Sequence, residues 1–175
     1  MRVSFGAVCL GASLVLPFLL SGCGSSSPTA IVVAISTDVA IPKDLDSLEV
    51  EVRVGSQTPF LQTYSLPSDA KLPGTLTLMA SDSAGGDPTR GTLNPGFVPV
   101  GSKSDTFRII VKGKHGVQAR ISSSASLRFV EDSTKKLAVV LSAACLDVVC
   151  ADAQTCRAGT CVAEAVDSAS LPAGP

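Results

Sequence analysis

Tryptophan is absent, tyrosine and histidine occur once each, and aromatics make up 4% of the 175 residues. A chain so poor in rings offers little of the stacking surface on which sugar sites are built. A single histidine excludes a histidine metal cluster within one chain. Charge of one sign is also lacking. The 14 basic and 15 acidic residues leave a net charge of -1, which gives no electrostatic footprint for nucleic acid. The length excludes a large multidomain enzyme and suits one ordinary domain with accessory segments. The 45% hydrophobic content, rich in β-branched residues, excludes a disordered chain.

What is present begins with an address. Residues 1–22, MRVSFGAVCLGASLVLPFLLSG, carry one basic residue, Arg2, ahead of an apolar stretch from Val3 to Leu20 with no further charge. This is the order of a secretory signal: a positive end, an apolar core, then small residues where a protease cuts. An uncleaved membrane anchor is the alternative, since the stretch is nearly long enough to span. Pro17, Ser4, Ser13 and the terminal small residues favour cleavage.

The cleavage region, Leu20-Ser21-Gly22-Cys23, resembles the lipobox of bacterial lipoproteins at all four positions. The resemblance implies diacylglycerol on the Cys23 thiol, cleavage between Gly22 and Cys23, and often a third, palmitate-type chain on the new amine. Two or more acyl chains hold a protein stably on a bilayer where one does not. Gly24-Ser25-Ser26-Ser27-Pro28-Thr29 then reads as a flexible tether, so residues 23–29 form a lipidated linker. The sorting rule of enterobacterial lipoproteins retains a chain in the inner membrane when Asp follows the anchor. Gly24 in that place leans toward the outer membrane.

Six cysteines occur. Cys9 leaves with the signal and Cys23 takes lipid, so Cys145, Cys150, Cys156 and Cys161 remain, in the run ACLDVVCADAQTCRAGTCV. An even number in an exported chain predicts two disulfides stapling a tail over residues 143–163. Three pairings are possible. The interlocked one, Cys145–Cys156 with Cys150–Cys161, is favoured. A four-cysteine zinc site is the competing reading; the spacing lacks the close ligand pairs of zinc knuckles, so no metal is expected.

Between them, residues 30–142 predict an all-β domain. SLEVEVRV at 47–54 alternates Leu48, Val50, Val52 and Val54 against Ser47, Glu49, Glu51 and Arg53, one buried face and one wet face. Phe107, Ile109 and Val111 alternate likewise, as do Leu76, Leu78 and Ala80, and Leu137, Val139 and Leu141. Weaker strands are read at Ala30–Thr37, Pro59–Ser65, Val117–Ser123 and Phe97–Val100, with a further piece at Leu127–Val130. Turns fall at Ala40–Asp44, Gly55–Pro59, Leu72–Gly74 and Gly113–Gly116. About seven short strands with no lasting helical period predict an antiparallel β-sandwich, immunoglobulin-like or transthyretin-like. Residues 164–175 show no periodicity and read as a loose C-terminus.

LLSGC, STDVAIPKDLDSLEVEV and CLDVVCADAQTCRAGTC together resemble uncharacterised secreted lipoproteins of the kind abundant in myxobacteria. The resemblance implies a fold and a location but no activity.

Candidate chemistry is sparse. His115 lies in a turn, near Ser122, Ser123 and Ser124 in sequence but without a nucleophile elbow. Glu49 and Glu51 share a strand face, as paired glycosidase carboxylates would, yet Arg53 continues that face and Tyr64 is the only tyrosine. Asp82 and Asp87 flank a Gly-rich loop without a calcium-binding spacing. Asp38, Asp44 and Asp46 read as turn formers, and Lys135 and Lys136 as edge protection rather than a lipid-headgroup patch. The expectation is a non-enzymatic, cofactor-free lipoprotein that acts as a binding or structural module, meeting the membrane through its anchor and having no nucleic-acid partner. The alternatives are an accessory subunit of an envelope secretion, adhesion or motility assembly, and a small hydrolase.

Overall fold

Alternating apolar residues become strands at the positions where the pattern is cleanest, and at most of the weaker ones. A computed structural model describes residues 28–82, 93 and 96–175. The signal region, Cys23, the start of the tether and Asp87 lie outside the described residues. The strands are β1 (Ala30–Thr37), β2 (Ser47–Val54), β3 (Gln57–Ser65), β4 (Gly74–Met79), β5 (Phe97–Pro99), β6 (Thr106–His115), β7 (Gln118–Arg128) and β8 (Thr134–Leu141). In the tail come β9 (Gln154–Arg157) and β10 (Thr160–Ala163).

Two four-stranded sheets, in the orders β5-β4-β1-β8 and β3-β2-β6-β7, form the sandwich. The ladders are antiparallel except β1 with β8 and β4 with β5, which are parallel. Between the sheets lies one core: Ile31, Val33 and Ile35 of β1, Leu76 and Leu78 of β4, and Leu137, Val139 and Leu141 of β8 meet Leu48, Val50 and Val52 of β2 and Phe107, Ile109 and Val111 of β6. Each of these sets repeats every second residue, so a one-residue slip of any strand would turn its whole set to solvent, which pins the register. Phe107 stacks obliquely on Phe129, with ring centroids 4.8 Å apart. At Gly113 of β6 an added Cβ would lie 2.7 Å from Ile121 and 2.8 Å from Leu45; only a residue without a side chain lets these two core groups close over the strand.

The sequence reading needs two corrections here. The pieces read at Val117–Ser123 and Leu127–Val130 are one strand, β7, because the small residues Ser124, Ala125 and Ser126 carry the extended backbone between them. The C-terminus expected to be loose over 164–175 is held. The Val166 N–H donates to the Ser126 carbonyl at 2.9 Å, the Lys136 N–H to the Pro172 carbonyl at 2.9 Å and the Gly174 N–H to the Thr134 carbonyl at 2.8 Å. Val166 and Leu171 pack on the core. These contacts are spread along the segment rather than periodic, so no alternation announces them.

Candidate functional site

The tail is built from its cysteines outward. β9 and β10 form a hairpin whose turn residues, Ala158 and Gly159, have φ of 48° and 84°, the left-handed pair that tight hairpins require. Cys156 and Cys161 stand opposite each other across that hairpin, yet each bonds elsewhere. The disulfides are Cys145–Cys156 and Cys150–Cys161, the interlocked pairing. They clamp the hairpin to the 145–150 segment, which leaves β8 through a short 3-10 turn at Ala143–Cys145. Cys145 and Cys156 are buried at 2% and 3% exposure, so this bridge also joins the tail to the core.

The stapled tail then runs down one open side of the sandwich, where β7 and β8 present their outer edges. The Ser126 N–H donates to the Glu164 carbonyl at 2.9 Å, and the Asp147 N–H donates to the Arg120 carbonyl at 2.7 Å. The Ser124 N–H donates to Thr155 Oγ1 at 2.8 Å, and the Arg128 N–H donates to Ser168 Oγ at 3.1 Å. Groups that would otherwise template pairing with another chain are thus consumed. A side-chain pin holds the arrangement: the Glu164 carboxylate, 8% exposed, accepts from Ser124 Oγ at 2.7 Å and from Arg108 Nε at 2.8 Å. Sequence reasoning missed Glu164, Arg108 and Thr155. A lone carboxylate beyond the last cysteine carries no spacing signal.

Between the tail and the outer face of β6 and β7 is a cleft of about 310 Å³, lined by Arg108, Arg120, Ser122, Asp147, Asp152 and Gln154 among others. Its two guanidinium groups are committed. Arg108 serves Glu164, and Arg120 makes two parallel bonds to Asp147, each 2.8 Å. That fork holds the Asp147 carboxyl below the usual carboxylate range.

His115 meets a carboxylate, but in the wrong order for a nucleophile relay. Its Nδ1 lies 3.4 Å from Asp46 Oδ2. Asp46 also accepts from the Gly116 N–H at 2.6 Å and from Ser47 Oγ at 2.9 Å, and these bonds, the Gly116 one foremost, lower its pKa. Aspartate therefore stands between serine and histidine, whereas hydroxyl activation needs histidine in the middle. The nearby serines do not repair this. Ser122 pairs with Lys112, three residues along β6 from His115, or roughly 10 Å at strand spacing, and Ser123 is buried.

Glu49 and Glu51 share the outer face of β2, as read from sequence, and cations occupy both. Lys112 Nζ is 2.7 Å from Glu49 and 3.7 Å from Glu51; Lys114 Nζ is 3.2 Å from Glu49; Arg53 pairs with Glu51. The Lys112 bond is the main cause lowering the pKa of Glu49. A glycosidase acid needs its pKa raised; this ladder is instead an ion network across β2 and β6 in which Glu51 is buried at 6% exposure, so the face read as wet is largely covered. Among the described residues no group of three or more His, Cys, Asp or Glu side chains converges as a metal site. The backbone of Lys135 bridges to Ala173, so the edge carrying the two lysines is covered by the chain's own end.

No protein-family model, curated protein or solved structure matches the chain. Function must therefore rest on geometry and chemistry. The two disulfides mark an extracytoplasmic protein, and no helix among the described residues is long and apolar enough to cross a membrane.

Proposed function

We propose that this chain is a lipid-anchored extracytoplasmic protein, held on a membrane through Cys23, whose sandwich is a non-enzymatic binding or structural module. One observation carries the reading. The four cysteines of the tail consume one another, so past residue 22 a single thiol remains. It sits at the end of Leu20-Ser21-Gly22-Cys23, where lipoprotein processing uses one. With Gly24 following, the outer membrane is the favoured address.

An anchor at Cys23 enters this reading at one end of the sandwich. Thr134 Oγ1 donates to the Pro28 carbonyl at 3.0 Å and the Ala30 N–H to the Ser133 carbonyl at 3.2 Å. The tether thus joins the end of the sandwich where β7 turns into β8. Residues 24–28 reach at most about 18 Å at full extension. The connections 38–46, 66–73 and 116–117 and the start of the tail lie at the far end and face away from the bilayer.

Replacing Cys23 with Ser tests the anchor. The full precursor then accumulates and the protein leaves the detergent phase. Normal processing and membrane retention of that variant would refute it.

A further inference from the structure

The two sides of the sandwich are finished differently. On one, the tail consumes the edges of β7 and β8. On the other, the edges are β3 and β5. β5 is three residues long and ends in Pro99, while β3 spans nine residues, Gln57–Ser65, with no charged side chain among them. Natural edge strands are commonly blunted by charge, shortness, proline, a bulge or cover; β3 carries Pro59 and an irregular register against β2 at its first residues, but over Phe60–Thr63 it has none of these among the described residues.

Its backbone pattern can be read from one bond. The Leu66 N–H donates to the Asp46 carbonyl at 2.7 Å. Alternation along an antiparallel ladder then turns the backbone groups of Tyr64, Gln62 and Phe60 toward β2 and those of Ser65, Thr63 and Leu61 outward. Ser65 is served by its own turn: its N–H donates to Asp69 Oδ2 at 3.1 Å and its carbonyl accepts from the Asp69 N–H at 2.9 Å. The Thr63 carbonyl accepts from Gln62 Nε2 at 3.3 Å. What the strand offers is the N–H and C=O of Leu61 and the N–H of Thr63, beneath a Leu61 side chain that is 59% exposed.

We propose that β3 pairs antiparallel with β3 of a second copy of this chain, about a two-fold axis at Leu61, giving a dimer with one continuous eight-stranded sheet. Four features of β3 select a copy over another partner. The two Leu61 residues exchange both backbone bonds and bury their exposed side chains against each other. Thr63 falls opposite Pro59 of the other copy, a residue with no N–H, and the Thr63 carbonyl is the one already supplied by Gln62. Two uncharged strands meet without repulsion. Each copy has a single such edge on this sheet, because the tail occupies the other, so pairing closes at two rather than growing a fibre.

Cross-linking in the full chain, exported and purified in mild detergent, tests this. Hydrogen-bonded antiparallel partners stand about 5.5 Å apart at Cα, within disulfide reach. Under mild oxidation Leu61→Cys gives a covalent dimer, while Val140→Cys, at 52% exposure on β8 close to Leu61 in accessibility, stays single. Leu61→Lys sets two ammonium groups face to face and weakens the dimer about tenfold or more in sedimentation velocity, with the far-UV circular dichroism of the chain unchanged. A wild-type chain that sediments as a monomer at every concentration would overturn the proposal. So would a dimer insensitive to Leu61→Lys, or equal cross-linking through both cysteines.

Discussion

Removing one tail disulfide at a time separates chain entropy from burial. Both bridges span a sequence separation of 11, so loop closure alone assigns each about 3 kcal/mol. They differ in surroundings. Cys145 and Cys156 sit in the core at 2% and 3% exposure, whereas Cys150 only borders it and Cys161 is half-buried outside it. Cys150→Ala with Cys161→Ala should therefore cost about 3 kcal/mol. Cys145→Ala with Cys156→Ala should cost about 1–2 kcal/mol more, from the cavity left by two buried sulfurs. At this chain length the first pair lowers Tm by about 10 °C, and the second by more. Native-state hydrogen exchange locates the damage: the Ser124, Ser126 and Val166 amides, bonded between β7 and the tail, should exchange faster than those of β2 and β6. Equal stability of the two double variants, a larger loss from the Cys150–Cys161 pair, or β7 edge amides that keep their protection would refute this.

Other expectations follow from single contacts. Glu164→Ala strands the buried Ser124 hydroxyl and one face of Arg108, at about 2–3 kcal/mol, while Glu164→Gln keeps an acceptor and loses less; urea unfolding ranks the two, and equal losses would contradict the pin. Gly113→Ala drives a methyl into Leu45 and Ile121, with a loss of about 1–3 kcal/mol by the same assay; an unchanged midpoint would show that these groups give way freely. The carboxyls of Asp46, Glu49, Asp69 and Asp147 are all held below their ordinary values in the fold. Their contribution is complete above the unfolded values near 4 and is lost as pH falls through the lower folded ones. Thermal melts should show Tm dropping on acidification below about pH 4.5; a Tm that rises there would reverse the sign.

Alternation made the sandwich legible. Val50, Ile109, Leu78 and Val139 each repeat their apolar neighbours at every second residue, and each faces the core as that period requires. β1 and β2 have the boundaries their sequences predict, whereas in β7 serine fills core and solvent positions alike and blurs the period. The tail was legible only in its cysteines. Its bonds to β7 and β8 run through backbone groups of Glu164, Pro172 and Gly174, which carry no residue signature, so a held segment looked loose. The parallel pairing of β1 with β8 joins residues some hundred positions apart, and no local pattern encodes a partner so distant. The cleft above β7 was hidden for the same reason: Arg120 and Asp147 meet only once the tail has folded back.

The intact mass of the chain extracted from membranes, taken without reductant, tests the account most directly. The expected polypeptide begins at Cys23, heavier than its sequence by a diacylglycerol group or by that and a further acyl chain, and lighter by the four hydrogens of two disulfides. A polypeptide that still begins at Met1, unacylated and recovered from the cytosol with four free tail thiols, would contradict it.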